Sequence, residues 1–226
     1  MVVVLMPVSI GRNDAITLLC DADLASLTPD ERLEEIEGLI YDREQGRWEQ
    51  DPQWTTIPAD VRAEIETHSE IHDAADSRYN PAIALSLRDR YVRACNEFLI
   101  NQLYSIGREY HRIIGFPPPL SACPCCGAYS LEERGDWEIC TVCWWEDDGS
   151  DNFDAMVESS PNHLSLIRAR INYLTHGIFD PSRHDLRDEQ EPLEKYERGR
   201  TFVLSDDGRS FSEPSVGWLG SLDDCR

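Results

Sequence analysis

Apolar residues return at helical spacing through the first half of the chain. Ile16, Leu18 and Leu19 mark the buried side of a short helix over 14–19, which Asn13 is placed to cap. Thr28-Pro29-Asp30-Glu31 reads as a capping box with proline at the first helical position. The helix it opens carries Leu33, Ile36, Leu39 and Ile40 between acids. Pro58 starts a third helix, with Val61 and Ile65 on its apolar side. Ile83, Leu87, Tyr91, Val92, Cys95, Phe98, Leu99 and Leu103 form one stripe. It predicts a single long helix from Asn80-Pro81 to a stop at Gly107, with Cys95 as a packed core thiol. Residues 109–116 predict a short strand. Pro117-Pro118-Pro119 can continue neither a helix nor a strand ladder, so it marks a domain boundary.

Past the prolines the pattern thins. One further helix is clear over 164–174, with Leu164, Ile167, Ile171 and Leu174 on one side and His176-Gly177 as its stop. From Asp180 the chain is charged and punctuated by Gly and Ser, with a helical turn over 193–198 and a strand over 201–204. No internal repeat is visible. The expected fold class is α+β. A mainly helical domain (1–116) precedes a small zinc-ribbon-like domain with a hairpin and a helix (117–179). An acidic, irregular extension (180–226) follows.

Five of the eight cysteines crowd into one stretch: Cys123-Pro124-Cys125-Cys126, then Cys140-Thr141-Val142-Cys143. Two C-x2-C pairs across a short spacer are the ligand arrangement of a tetrahedral all-cysteine zinc site. Two intervening residues let one tight turn aim both thiolates at one ion. Pro124 presets that turn and Gly127 permits the bend after it. The spacer predicts a hairpin in which residues 129–132 and 137–139 flank an Arg134-Gly135-Asp136 turn. Cys123, Cys126, Cys140 and Cys143 are therefore the expected ligands of one structural Zn2+ per chain. Cys125 is the spare thiol. Four cysteines leave no coordination position for water, which opposes metal-assisted hydrolysis.

The stretches Cys-Pro-Cys-Cys-Gly at 123–127, Leu131-Glu-Glu-Arg-Gly135, Glu138-Ile-Cys140, Val142-Cys-Trp-Trp-Glu-Asp-Asp-Gly149 and Asn162-His-Leu-Ser-Leu166 resemble the bacterial cysteine-rich CPCC domain family. The match runs roughly from Pro119 to Gly177. The segment 11–19 looks like the opening of longer members, which place a helical region before the CPCC domain. The resemblance implies a small metal-binding bacterial domain, and some members look like immunity or toxin-system proteins. Family members tend to carry an acid where Arg168 stands, so a capping-box partner for Ser165 is missing here.

The charge narrows the function. Lys and Arg total 21 and Asp and Glu total 43, a formal net charge of -22. Such a surface repels phosphates and anionic lipid and favours a basic protein partner, among them a toxin. Trp144 and Trp145 beside Glu146, Asp147, Asp148 and Asp151 have the composition of a binding hot spot with an acidic rim. The competing reading covers the zinc knuckle with both tryptophans and leaves the acids solvated. An EF-hand reading fails on register, since Trp144 would take the first ligand position. His68 and His72 could share a helical face as a metal pair. No G-x-S-x-G, H-E-x-x-H, G-x-x-x-x-G-K-[ST] or G-x-G-x-x-G is present. The opening apolar run lacks a basic n-region and a cleavage site, and no run reaches the length of a membrane span, so the expected location is the cytoplasm. The expected function is a non-enzymatic zinc-binding interaction module, immunity- or antitoxin-like. The alternatives are a zinc-ribbon nucleic-acid or transcription factor, which the charge opposes, and a thiol redox sensor acting through Cys125.

Overall fold

The computed structural model describes residues 8–44, 51–71 and 73–224. The chain divides into two compact units, Met1–Pro117 and Pro118–Arg226.

The first unit is helical. Strand β1 (Ser9–Gly11) leads directly into α1 (Arg12–Ser26), followed by α2 (Pro29–Glu44), α3 (Ala59–Glu66), α4 (Asn80–Val92), α5 (Asn96–Ser105) and strand β2 (Arg112–Ile114). β1 and β2 pair in parallel, with Ile10 opposite Ile113. That pairing fixes the chain up to Gly11, so α1 starts at Arg12 rather than after a cap at Asn13 and runs past 19 to Ser26. The capping box at α2 forms as predicted. Thr28 N donates to Glu31 Oε2 at 2.7 Å, and Glu31 N donates to Thr28 Oγ1 at 3.3 Å. α1 and α2 pack on α4, and the buried Ile16, Leu19, Ile36, Leu39, Ile83 and Leu87 fill the space between them.

The single long helix expected after Asn80 is two helices. The apolar stripe is continuous, but the backbone leaves the helix after Val92 and restarts at Asn96. Arg12 explains the break. Its guanidinium donates to Val92 O at 3.0 Å, Ala94 O at 2.5 Å and Asn96 Oδ1 at 2.6 Å. Carbonyls freed at the end of α4 are thus satisfied by a side chain from α1. Cys95 is buried as expected and also caps α5, its Sγ accepting from Phe98 N at 3.4 Å. His68 is exposed, and His72 lies outside the described residues, so the proposed histidine pair has no structural description.

The second unit holds β3 (Ser121–Ala122), β4 (Tyr129–Leu131), α6 (Leu166–His176) and a three-stranded antiparallel sheet of β5 (Val203–Leu204), β6 (Ser210–Glu213) and β7 (Trp218–Ser221). Ser165 caps α6, accepting from Arg168 N at 3.4 Å, and Gly177 ends it at φ 78°. The spacer hairpin pairs differently from expectation. Residues 129–131 pair with 121–122, and Trp137–Cys140 pairs with Trp145–Asp147, so each C-x2-C turn sits on its own small hairpin. The region after Asp180 is not an irregular extension. Tyr196, Phe202 and Phe211 are buried in the same core as the cysteines. Polar spacing conceals this, because only a few large aromatics carry its burial.

Candidate metal centre

The two C-x2-C turns are local copies. Cys123 N donates to Ala128 O at 2.8 Å and Cys140 N to Trp145 O at 2.9 Å. Gly127 N donates to Cys123 O at 2.9 Å and Trp144 N to Cys140 O at 2.7 Å. Both turns need a left-handed residue after the second cysteine. Gly127 supplies it at φ 83° without strain, whereas Trp144 adopts φ 66° despite its bulk.

Together the turns bring Cys123, Cys126, Cys140 and Cys143 into one buried cluster, every sulfur within 4.8 Å of the others. Cys123 Sγ lies 3.7 Å from Cys143 Sγ, and Cys126 Sγ lies 3.6 Å from Cys140 Sγ. A tetrahedron with metal–sulfur bonds of about 2.3 Å has sulfurs about 3.8 Å apart, so the donor set fits a tetrahedral metal ion. Burial pushes the Cys123, Cys126 and Cys143 thiols up. Burial acts on Cys140 in the same sense, but hydrogen bonds from Cys123, Cys126, Cys143 and Ser130 outweigh it and hold that sulfur low. A divalent cation would favour deprotonation of all four. Ser130 Oγ lies 3.1 Å from Cys140 Sγ, a contact that spacing does not reveal, since a serine in a short strand carries no metal signature. Cys125 N lies 3.4 Å from Cys123 Sγ and donates to it, while the Cys125 side chain is itself buried.

Residues 121–194 match the family model described as Cysteine-rich CPCC. The chain carries a cysteine-rich CPCC domain. Residues 1–120 and 195–226 lie outside the match. No curated protein and no solved structure matches the chain.

What surrounds the CPCC knuckles corrects the expected partner surface. Trp145 is fully buried, edge-on to Phe179 at 6.2 Å between ring centroids. Asp147 is fully buried as well, accepting from Arg134 Nε at 2.8 Å and Gly135 N at 2.7 Å. Asp151 takes Arg134 Nη1 at 3.0 Å and Arg200 Nη1 at 2.8 Å, and its Oδ1 lies 3.6 Å from Arg170 Nη2. Glu213 holds Arg200 through both oxygens, at 2.7 and 2.8 Å. Three arginines and three acids therefore neutralise one another inside the unit. Trp144, Glu146 and Asp148 are half-buried. Asn162 clamps the Glu146 backbone, accepting from its N–H at 3.0 Å and donating to its carbonyl at 2.8 Å. The six residues thus do not form one accessible hot spot.

Arg170 is the centre of this arrangement. It is buried on α6, donates through Nε to Pro124 O at 2.7 Å, and stacks on Phe202 at 4.5 Å. Burial, with the Arg200 charge beside it, pushes Arg170 down to about 10, which leaves it cationic at neutral pH. This side chain touches the first knuckle, α6 and the chain beyond residue 195 together. On the other side, Gln190 Nε2 donates to Val142 O at 2.6 Å and Thr141 Oγ1 to Glu191 Oε2 at 2.7 Å. Glu191 also pairs with Lys195, the chain's one lysine, which is buried. Among the described residues no helix is long and apolar enough to cross a membrane.

Proposed function

We propose that the chain is a non-enzymatic, zinc-stabilised interaction module that works in the cytoplasm by masking a basic protein, as an immunity or antitoxin-like protein does. The observation that carries the reading is the closed cluster: four buried cysteine sulfurs at tetrahedral spacing. Four soft thiolates in that geometry suit Zn2+, and such a site is structural because no coordination position remains for water or substrate. A metal-stiffened scaffold limits the entropy lost on binding. The net charge of -22 supports a basic partner through faster encounter and salt-sensitive affinity. The inward turn of Arg134, Arg170 and Arg200 speaks against nucleic acid, which would need such side chains outside.

Elemental analysis tests the metal. The expected result is one zinc per chain. Single Cys→Ser changes at 123, 126, 140 or 143 should release it and Cys125→Ser should keep it. Iron with a thiolate charge-transfer absorbance, or no metal at all, would overturn the zinc assignment. Recovery of no basic partner from native lysate at low salt would overturn the masking role.

A further inference from the structure

Phe153, Met156 and Val157 stand out on the second unit. They are 84%, 53% and 64% exposed, although they lie within five residues of one another. Single exposed apolar residues are ordinary, but three on one short loop are a recognition feature. The loop is also held in place. Asp154 N donates to Asp151 O at 3.1 Å and Val157 N to Asp154 O at 2.8 Å, two successive turns that bring positions three apart to one side. Ala155 between them is buried and accepts from Ile167 N of α6 at 3.0 Å. Asn152 at the near end donates to Glu213 Oε2 at 2.9 Å. With Asn152 and Ala155 held in this way and Glu158 bridged to Ser165 at the far end, the loop presents its apolar side chains with little ordering cost.

The charge around the loop says what would cover it. Asp147 and Asp151 are neutralised by arginines, whereas Asp154, which accepts from Asp151 N at 2.8 Å, and the exposed Glu158 flank the apolar residues and make no arginine or lysine ion pair among the described residues. We propose that Phe153, Met156 and Val157, with Asp154 and Glu158 at their rim, form the contact surface for a basic amphipathic segment of another protein. The inference rests on the masking role above and moves its contact surface from Trp144–Asp151 to residues 153–158. A second copy of this chain would bring equal negative charge and be repelled. An anionic membrane is opposed for the same reason.

The test uses the full chain with three synthetic probes of about eighteen residues, long enough to form a helix. One is a lysine–leucine peptide in amphipathic order, one its scrambled isomer, and one a glutamate–leucine counterpart. Fluorescence anisotropy should show the ordered lysine peptide binding best and weakening with salt. The variant Phe153→Ser/Met156→Ser/Val157→Ser should lose about tenfold or more in affinity while keeping metal content and circular dichroism unchanged. Trp137→Ser, at another exposed aromatic, should not. If the triple variant binds as wild type does, or the scrambled peptide binds equally well, this surface is wrong while the basic-partner reading stands. If no lysine peptide binds even at low salt, that reading falls as well. Vesicle binding or self-association abolished by the triple variant would assign the loop to a membrane or to a second copy and overturn the proposal.

Discussion

Arg200 lies directly over Gly127. The Gly199 and Arg200 amides both donate to Gly127 O, at 2.8 and 3.0 Å, and a Cβ on Gly127 would stand 2.2 Å from Arg200 O. A glycine expected only to permit the knuckle bend therefore also admits the chain from beyond residue 195. The first knuckle and the C-terminal segment are two strands of one small assembly, continued by the Ala128–Arg198 bridge and by Tyr129 N donating to Glu197 O at 2.9 Å.

Gly127→Ala should be far more harmful than Gly177→Ala. Both positions have left-handed backbone, but a methyl at 177 meets nothing within 4 Å. The 177 change should cost about 1 kcal/mol from conformation alone. The 127 change adds a clash with backbone that cannot move without breaking two hydrogen bonds. Denaturant melts of the two variants should separate by more than about 1 kcal/mol. Equal stabilities would show that the close approach is dispensable.

In a chain ending at residue 194 the second unit should fail to hold its fold, although the whole family match is present. It would lose Tyr196, Phe202 and Phe211, all buried, and the Arg200 pairs to Asp151 and Glu213. Burial of three aromatics is worth roughly 5–9 kcal/mol, comparable to the total stability of a small domain. Dispersed amide NMR signals for residues 118–194 alone, with metal bound, would contradict this.

Asp151→Asn should destabilise the second unit by about 3 kcal/mol at neutral pH, because it leaves three arginines short of a counter-charge. Burial pushes the Asp151 carboxyl up, but hydrogen bonds from Asn152 N, Arg134 and Arg200 outweigh it and hold the group below the usual aspartate range. A carboxyl lowered by folding adds stability above its unfolded pKa and loses it as pH falls through the folded value. The gap between wild type and variant should therefore be full at neutral pH and close from about pH 4 downward. Melting temperatures of both proteins across that range check it. A gap that persists at pH 2 would assign the effect to packing.

Arg12→Met should loosen the α4–α5 junction. The substitution keeps much of the stem and removes the donors to Val92 O, Ala94 O and Asn96 Oδ1. Loss of charged hydrogen bonds to partly buried carbonyls should cost about 2–3 kcal/mol. Hydrogen exchange should quicken at residues 92–99 while α2 and α3 keep their protection. Unchanged exchange at the junction would show that the break is held by packing alone.

The sequence by itself was enough for the features whose cause is local. The helix start at Thr28 is read from side chains that bond their own first turn, whereas the helix expected from Leu164 begins at Leu166, after a cap at Ser165. The stop at Gly177 follows from glycine's freedom at positive φ. The clustering of Cys123, Cys126, Cys140 and Cys143 follows from the reach of a tight turn. Tertiary structure decided whatever depends on a partner distant in sequence. The break after Val92 is set by Arg12, eighty residues away. The place of the C-terminal segment is set by Arg200 against Asp151 and Glu213. The acids of the 146–151 loop look alike along the chain, yet Asp147 and Asp151 face inward to arginines. An arginine can reach several angstroms in any direction from its own element, and no periodicity records where it points. Charge counted along the chain cannot separate acids spent inside the fold from acids left for a partner, because desolvation and pairing exist only once the chain has closed on itself.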